Sequence, residues 1–122
     1  IPMESPYYRP FHELLTATHQ RYGRPILLAE TGAEGQRRVP WLRYVCDQVA
    51  IALHNDVPIE GICFYPITDY PGWSNSRHCK TGLLGYANEQ GQRPVFAPLA
   101  EAIALQQGRF GQRPVQEMLH VQ

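Results

Sequence analysis

Glu30 closes a short apolar run, Ile26-Leu27-Leu28-Ala29, and is followed at once by Thr31-Gly32. The C-terminal ends of parallel strands are where α/β sheets and barrels collect reacting groups, and a carboxylate after four apolar residues is not there for packing. On the logic of paired carboxylates such a group can be catalytic when a second carboxyl works with it. The more ordinary roles of a Glu in this position are to open a solvated loop or to sit at the N-terminus of the next helix. A second chemical cluster is Tyr65-Pro66-Ile67-Thr68-Asp69-Tyr70-Pro71-Gly72-Trp73. Aromatic rings with polar edges suit the C–H faces and hydroxyls of a sugar ring. Trp73 would serve equally as a pin for its own loop.

The elements around these residues follow from local chemistry. Arg24-Pro25 is a boundary, because proline fixes its own φ and drives the preceding residue out of the helical region, so Ile26 to Ala29 reads as a buried strand. Strict alternation puts Ile26, Leu28 and Glu30 on one face and Leu27 and Ala29 on the other. If the first face lines a barrel, Glu30 points into its mouth. Residues 1–10 read as a loop, and Phe11 to Tyr22 as a helix stopped by Gly23. Thr31 to Pro40 is a polar loop whose Arg37 and Arg38 read as solvated charges. Trp41 to Asn55 is the strongest helix, with a stripe of Trp41, Leu42, Val45, Val49, Ala52 and Leu53. Ile59 to Ile67 follows as a second strand, which makes a parallel βαβ unit. Thr68 to about Gln92 is long for a connector and reads as an active-site loop. Val95 to Gln106 is a last helix, within βα units spanning 11–107, and 108–122 is a polar tail.

Composition narrows the partners. The 122 residues carry 11 basic and 11 acidic side chains, with no basic run, which argues against a nucleic-acid surface. No apolar run approaches the roughly 20 residues of a membrane span, so neutral small molecules are the expected ligands. Cys46, Cys63 and Cys79 are widely spaced and read as core thiols of a reducing, cytoplasmic compartment. His12 and His19 lie two helical turns apart, as on a solvated face, and neither histidines nor cysteines show metal-ligand spacing, so no metal or cofactor is expected. The chain opens on Ile1 without a secretory pattern, and an upstream portion is expected.

Leu28-Ala29-Glu30-Thr31-Gly32 resembles the Ile/Val-Thr-Glu-Asn-Gly nucleophile strand of family 1 and related clan A glycoside hydrolases. Tyr65 to Trp73 resembles, without a gap, that family's Trp-Ser-Leu-Leu-Asp-Asn-Phe-Glu-Trp segment, and Asp69 and Trp73 match outright. Further on, Lys80-Thr81-Gly82-Leu83-Leu84 and Gln92-Arg93-Pro94-Val95-Phe96 are similar to Arg-Phe-Gly-Leu-Val and to a Lys-Arg-x-Pro-Lys stretch before the final helix. The resemblance runs from about Arg24 to Ile103, and the order of its motifs is more specific than any one of them.

That resemblance implies the C-terminal portion of a (βα)8 TIM barrel, about strands 7 and 8 with their flanking helices. It implies a β-glucosidase-like retaining O-glycoside hydrolase, with Glu30 as nucleophile and Tyr65, Asp69 and Trp73 contacting a carbohydrate or glycoside. The remainder of the barrel, from an upstream chain, would be its other partner. The departures bear on substrate: Gly72 replaces a sugar-binding glutamate, Tyr65 a tryptophan and Thr31 an asparagine. No Asn-Glu-Pro acid/base segment is present. A catalytically silent carbohydrate-binding barrel therefore stands as an alternative, as does a small structural α/β domain.

Overall fold

A computed structural model of the chain describes residues 3–111. Helix α1 (Phe11–Tyr22) begins directly after Pro10 and ends at Gly23, whose φ of 61° is in the left-handed region and whose N–H returns to the His19 carbonyl. His19 Nδ1–H donates to the Arg24 carbonyl at 2.9 Å, closing the same turn. His12 bonds Gln48 through both its backbone N–H and Nδ1. These two histidines therefore hold the fold, where a solvated face is expected from their spacing.

Strand β1 (Ile26–Thr31) pairs in parallel with β2 (Ile59–Phe64), and helix α2 (Arg38–His54) joins them, as the βαβ reading requires. Helix α2 starts three residues earlier than its apolar stripe alone indicates. Pro40 is thereby its third residue, where no intrahelical N–H bond is lost. Its buried residues Leu42, Val45, Cys46, Val49 and Ala52 recur at helical spacing. One side of that stripe meets Leu15, Leu28 and Val57, and the other meets Leu99 and Ala102 of helix α3 (Ala97–Gly111). Val45, Val49 and Leu99 are nearly free of solvent contact, each contributing about 1.5–3 kcal/mol of burial. Helix α3 extends five residues beyond Gln106. It thus takes in Gly108 to Gly111, which the sequence assigns to the tail, while residues 112–122 of that tail lie outside the described residues.

All three helices lie against one face of the two-stranded sheet. Strand β2 stops at Phe64 rather than Ile67, the Tyr65–Pro66 peptide bond being cis. The expected long loop contains a small antiparallel hairpin, β3 (Tyr70–Pro71) with β4 (His78–Cys79). Leu84 bridges this region back to Thr68 and to Val95. Among the described residues no helix is long and apolar enough to cross a membrane.

Two register shifts decide what the open face of the sheet carries. Leu28 pairs with Ile62 and Thr31 with Phe64, so β1 advances three residues while β2 advances two. A bulge of this kind puts two successive residues on nearly the same side of a strand. Leu28 is buried against Leu15 and Val45, and Thr31 accepts a hydrogen bond from Trp41 of α2, so both face the helices. Ala29 and Glu30 are both exposed on the other side. Strict alternation from Ile26 is thereby corrected: Ile26 and Leu28 belong to the helix-packed face, and Glu30 joins Leu27 and Ala29 on the open one. Cys63 is corrected likewise. It alternates with the helix-facing Ile62 and Phe64 and is exposed, whereas Cys46 and Cys79 are buried.

Candidate functional site

Glu30 sits at the C-terminal end of β1 with its side chain on the open face, and the next four residues lead into the turn Gly35–Arg37. The second cluster is joined to it through the backbone. Tyr65 N–H donates to the Thr31 carbonyl at 2.9 Å. A Cβ on Gly32 would collide with the Tyr65 carbonyl oxygen, which explains the glycine two residues after the carboxylate. The Tyr65 ring is 40% exposed and lies 6.4 Å from that of Tyr70. Tyr65 therefore presents a partly open aromatic surface next to the strand end that carries Glu30.

Trp73 is 88% exposed at the tip of the β3–β4 hairpin, so the role of a pin for its loop is set aside among the described residues. Gly72 closes this tip: its N–H bonds the Arg77 carbonyl at 2.7 Å, and a Cβ would press on Asn75 Oδ1 at 2.5 Å. A glutamate side chain in its place would have to displace that turn.

Asp69 has a different environment from the substrate contact expected of it. It is buried, and its Oδ1 accepts the Gly82 N–H at 2.7 Å while its own N–H bonds the Leu84 carbonyl. A carboxylate so committed fixes the loop behind the aromatic cluster. Gly82 is similarly constrained, since a Cβ would overlap the Thr68–Asp69 backbone.

Arg38 is a further correction. Instead of a solvated loop charge it is buried, donating from Nε to the Gly35 carbonyl at 2.9 Å and from a terminal nitrogen to the Gly82 carbonyl at 2.6 Å. Its guanidinium lies 3.7 Å from the centre of the Phe96 ring. One side chain thus clamps the Glu30 loop to the loop after β4. Its signal in the sequence is position: Arg38 precedes Leu42 by four residues and Val45 by seven, on the buried stripe of α2.

Glu34 faces Arg77 in a two-pronged ion pair, with N–O distances of 2.5 and 3.2 Å. The Arg77 hydrogen bonds hold its carboxyl below the ordinary carboxylate range, outweighing partial desolvation, and the charges of Arg77 and Arg37 act in the same sense. Glu34 is therefore a permanent anion near neutral pH and unsuited to donating a proton. A shallow depression of about 310 Å³ lies beside it, lined by Gly32, Ala33, Glu34, Arg37 and Trp41.

No protein-family model matches the sequence, and comparison with curated proteins gives no match. Among solved structures, the chain is similar to the β-glycosidase of Thermosphaera aggregans, with 21% identity and a TM-score of 0.69 over 91% of this chain and 24% of that one. It is similar to the family 1 β-glucosidase of Thermotoga maritima, with 17% identity and a TM-score of 0.64 over 77% of this chain and 24% of that one. Fpglu1 from Fervidobacterium pennivoraus gives 20% identity and a TM-score of 0.66 over 80% of this chain and 22% of that one. The Thermotoga maritima enzyme has also been solved in complex with glucoimidazole. The chain has the α/β fold of part of a β-glucosidase, and it spans about a quarter of the length of these structures.

Proposed function

We propose that this chain supplies the nucleophile side of a retaining β-glycosidase site, with β1 and β2 as the seventh and eighth strands of a (βα)8 barrel. The observation that carries this reading is the bulge that turns Glu30 away from the helices and onto the open face, beside the backbone-tethered Tyr65. In a barrel the face opposite the helices is the interior, and reacting groups stand at the strands' C-terminal ends. The likeness in fold to β-glucosidases supports the same assignment.

In the first step a Glu30 carboxylate oxygen attacks the anomeric carbon. The bond from that carbon to the leaving oxygen breaks, and a carboxylic acid on the other face gives the leaving oxygen its proton. In the second, the same group takes a proton from water, water attacks the anomeric carbon, and the ester to Glu30 breaks. Glu34, held ionised by Arg77, does not meet the requirements of that acid, which is assigned to barrel sequence outside these 122 residues. Tyr65 provides the apolar surface under the sugar and Trp73 reaches its outer hydroxyls. Asp69 positions the loop that bears them.

Glu30→Gly in the protein carrying the complete barrel tests this reading. The variant should lose hydrolysis of an aryl β-glucoside and regain turnover with added azide, releasing the α-glycosyl azide, because azide occupies the place of the missing carboxylate. Failure of azide to rescue, with wild-type hydrolysis intact, would assign the nucleophile elsewhere. Tight glucoimidazole binding by a wild-type protein that hydrolyses nothing would favour the silent carbohydrate-binding barrel.

A further inference from the structure

Trp73 makes its position a problem of the hairpin rather than of its own packing, since the ring is almost fully exposed. The hairpin that carries it has only two residue pairs, Tyr70 with Cys79 and Pro71 with His78. A ladder that short does not hold its own orientation in water. At its base it is tied by Asp69 to Gly82 and Leu84. Those bonds lie at the hairpin's root and do not reach its tip.

Among the described residues, His78 next to the tip packs edge-on against Tyr86 at 4.8 Å, and the side chain that ties the tip to the Glu30 loop is that of Arg77. Arg77 stands four residues after Trp73, its N–H bonded to Asn75 Oδ1 and its carbonyl to the Gly72 N–H, so it is built into the same turn. From there its guanidinium forks onto both oxygens of Glu34, across 43 residues of sequence. Glu34 is four residues beyond Glu30, and the Gly35 N–H bonds the Lys80 carbonyl at 2.8 Å beside it. A planar fork fixes direction as well as distance, which a point charge does not. The two side chains are 59% and 35% exposed, so the pair adds little to global stability. Its consequence is geometric.

We propose that Glu34 and Arg77 are a positioning pair that sets where Trp73 stands relative to the Glu30 loop, and so governs affinity for the outer part of the glycoside rather than the rate of bond cleavage. This rests on the glycosidase reading given above. In that reading the sugar's reacting carbon is held by Glu30 and Tyr65, which the pair does not touch, while the outer hydroxyls meet Trp73. Loosening the tip therefore weakens binding in ground state and transition state alike, the pattern that raises KM and spares kcat.

The test uses Arg77→Ala, Arg77→Lys, Glu34→Gln and the exchanged pair Glu34→Arg with Arg77→Glu, in the complete protein. Each is assayed with an aryl β-glucoside, and fluorine NMR of fluorotryptophan-labelled protein follows Trp73, its resonance identified by its loss in Trp73→Phe. Arg77→Ala and Glu34→Gln should each raise KM about five- to tenfold with kcat within about twofold, and the exchanged pair should recover much of the loss. Arg77→Lys should recover less, lacking the fork. The Trp73 resonance should shift and narrow whenever the pair is broken, and this readout stands even if the protein proves to hydrolyse nothing. An unmoved Trp73 resonance in Arg77→Ala would overturn the proposal. So would an unchanged KM in a wild-type-active protein, or a fall in kcat matching the fall in kcat/KM.

Discussion

The Tyr65 N–H donates to the Thr31 carbonyl at 2.9 Å, one residue past Glu30 and one before Gly32. Two segments separated by a helix and a strand are thus a single backbone unit at the sheet's C-terminal end. The strand end that carries Glu30 and the Tyr65 backbone are therefore held together.

Gly32 is the close-contact point of that unit. Gly32→Ala drives a methyl group into the Tyr65 carbonyl, a backbone atom that cannot rotate aside. We expect a loss of about 1–3 kcal/mol in urea unfolding, the usual cost of overpacking, together with weakened sugar binding as Tyr65 is displaced. Retention of both would show that the two strand ends have more room than this geometry gives them.

Asp69 is predicted to act through the loop and not through substrate. Asp69→Ala strands the buried Gly82 N–H and should cost about 1–3 kcal/mol. Asp69→Asn keeps an acceptor oxygen and should retain most of the stability, with KM close to that of the wild type. A large rise in KM in a well-folded Asp69→Asn protein would instead assign it a direct substrate contact.

Trp73 behaves in the opposite way. Because it is 88% exposed, Trp73→Ala should leave the urea midpoint unchanged. Affinity for glucoimidazole should fall about three- to tenfold, as expected from losing an aromatic contact worth ~0.5–1.5 kcal/mol, measured by calorimetric titration.

The Glu34–Arg77 pair has a definite acid response. The carboxyl of Glu34 is held below its ordinary range chiefly by the Arg77 hydrogen bonds, against opposing desolvation, with the charges of Arg77 and Arg37 and a backbone hydrogen bond from Lys80 assisting. A carboxylate whose folded pKa is depressed contributes its stabilisation above the unfolded pKa and loses it as pH falls through the folded value. The pair should therefore be intact at neutral pH and through the usual carboxylate range, and open only on stronger acidification. NMR titration of the Glu34 carboxyl carbon should show this low midpoint, and Arg77→Ala should raise it. Equal midpoints in the two proteins would contradict the pairing.

Much of the frame was legible from local chemistry. Pro10, Gly23 and Pro25 punctuate α1 and β1, and the apolar stripe of α2 has a clear helical period, so the βαβ unit followed without tertiary information. What escaped depends on partners distant in sequence. The bulge at Ala29-Glu30 exists only relative to the register with Ile62 and Phe64, so alternation along β1 alone gave Glu30 the right strand end and the wrong neighbours. Arg38 is buried by the Gly82 carbonyl and the Phe96 ring, both from beyond β4, and a charged residue next to Arg37 in a glycine-containing stretch carries only its helical phase as warning. Asp69 matched a family motif outright, yet motif identity does not say which way a carboxylate turns. Here it turns inward.

In the proposed mechanism Glu30 forms the covalent intermediate. The direct measurement is inactivation of the complete protein by a deoxyfluoro β-glucoside with a good leaving group, followed by proteolysis and mass spectrometry of the trapped ester. Time-dependent, stoichiometric labelling is predicted on the peptide containing Ile26 to Gly32, with the added mass on Glu30 and none in Glu30→Gln. A trapped ester on any other carboxylate, or steady hydrolysis with no trappable intermediate, would contradict the account.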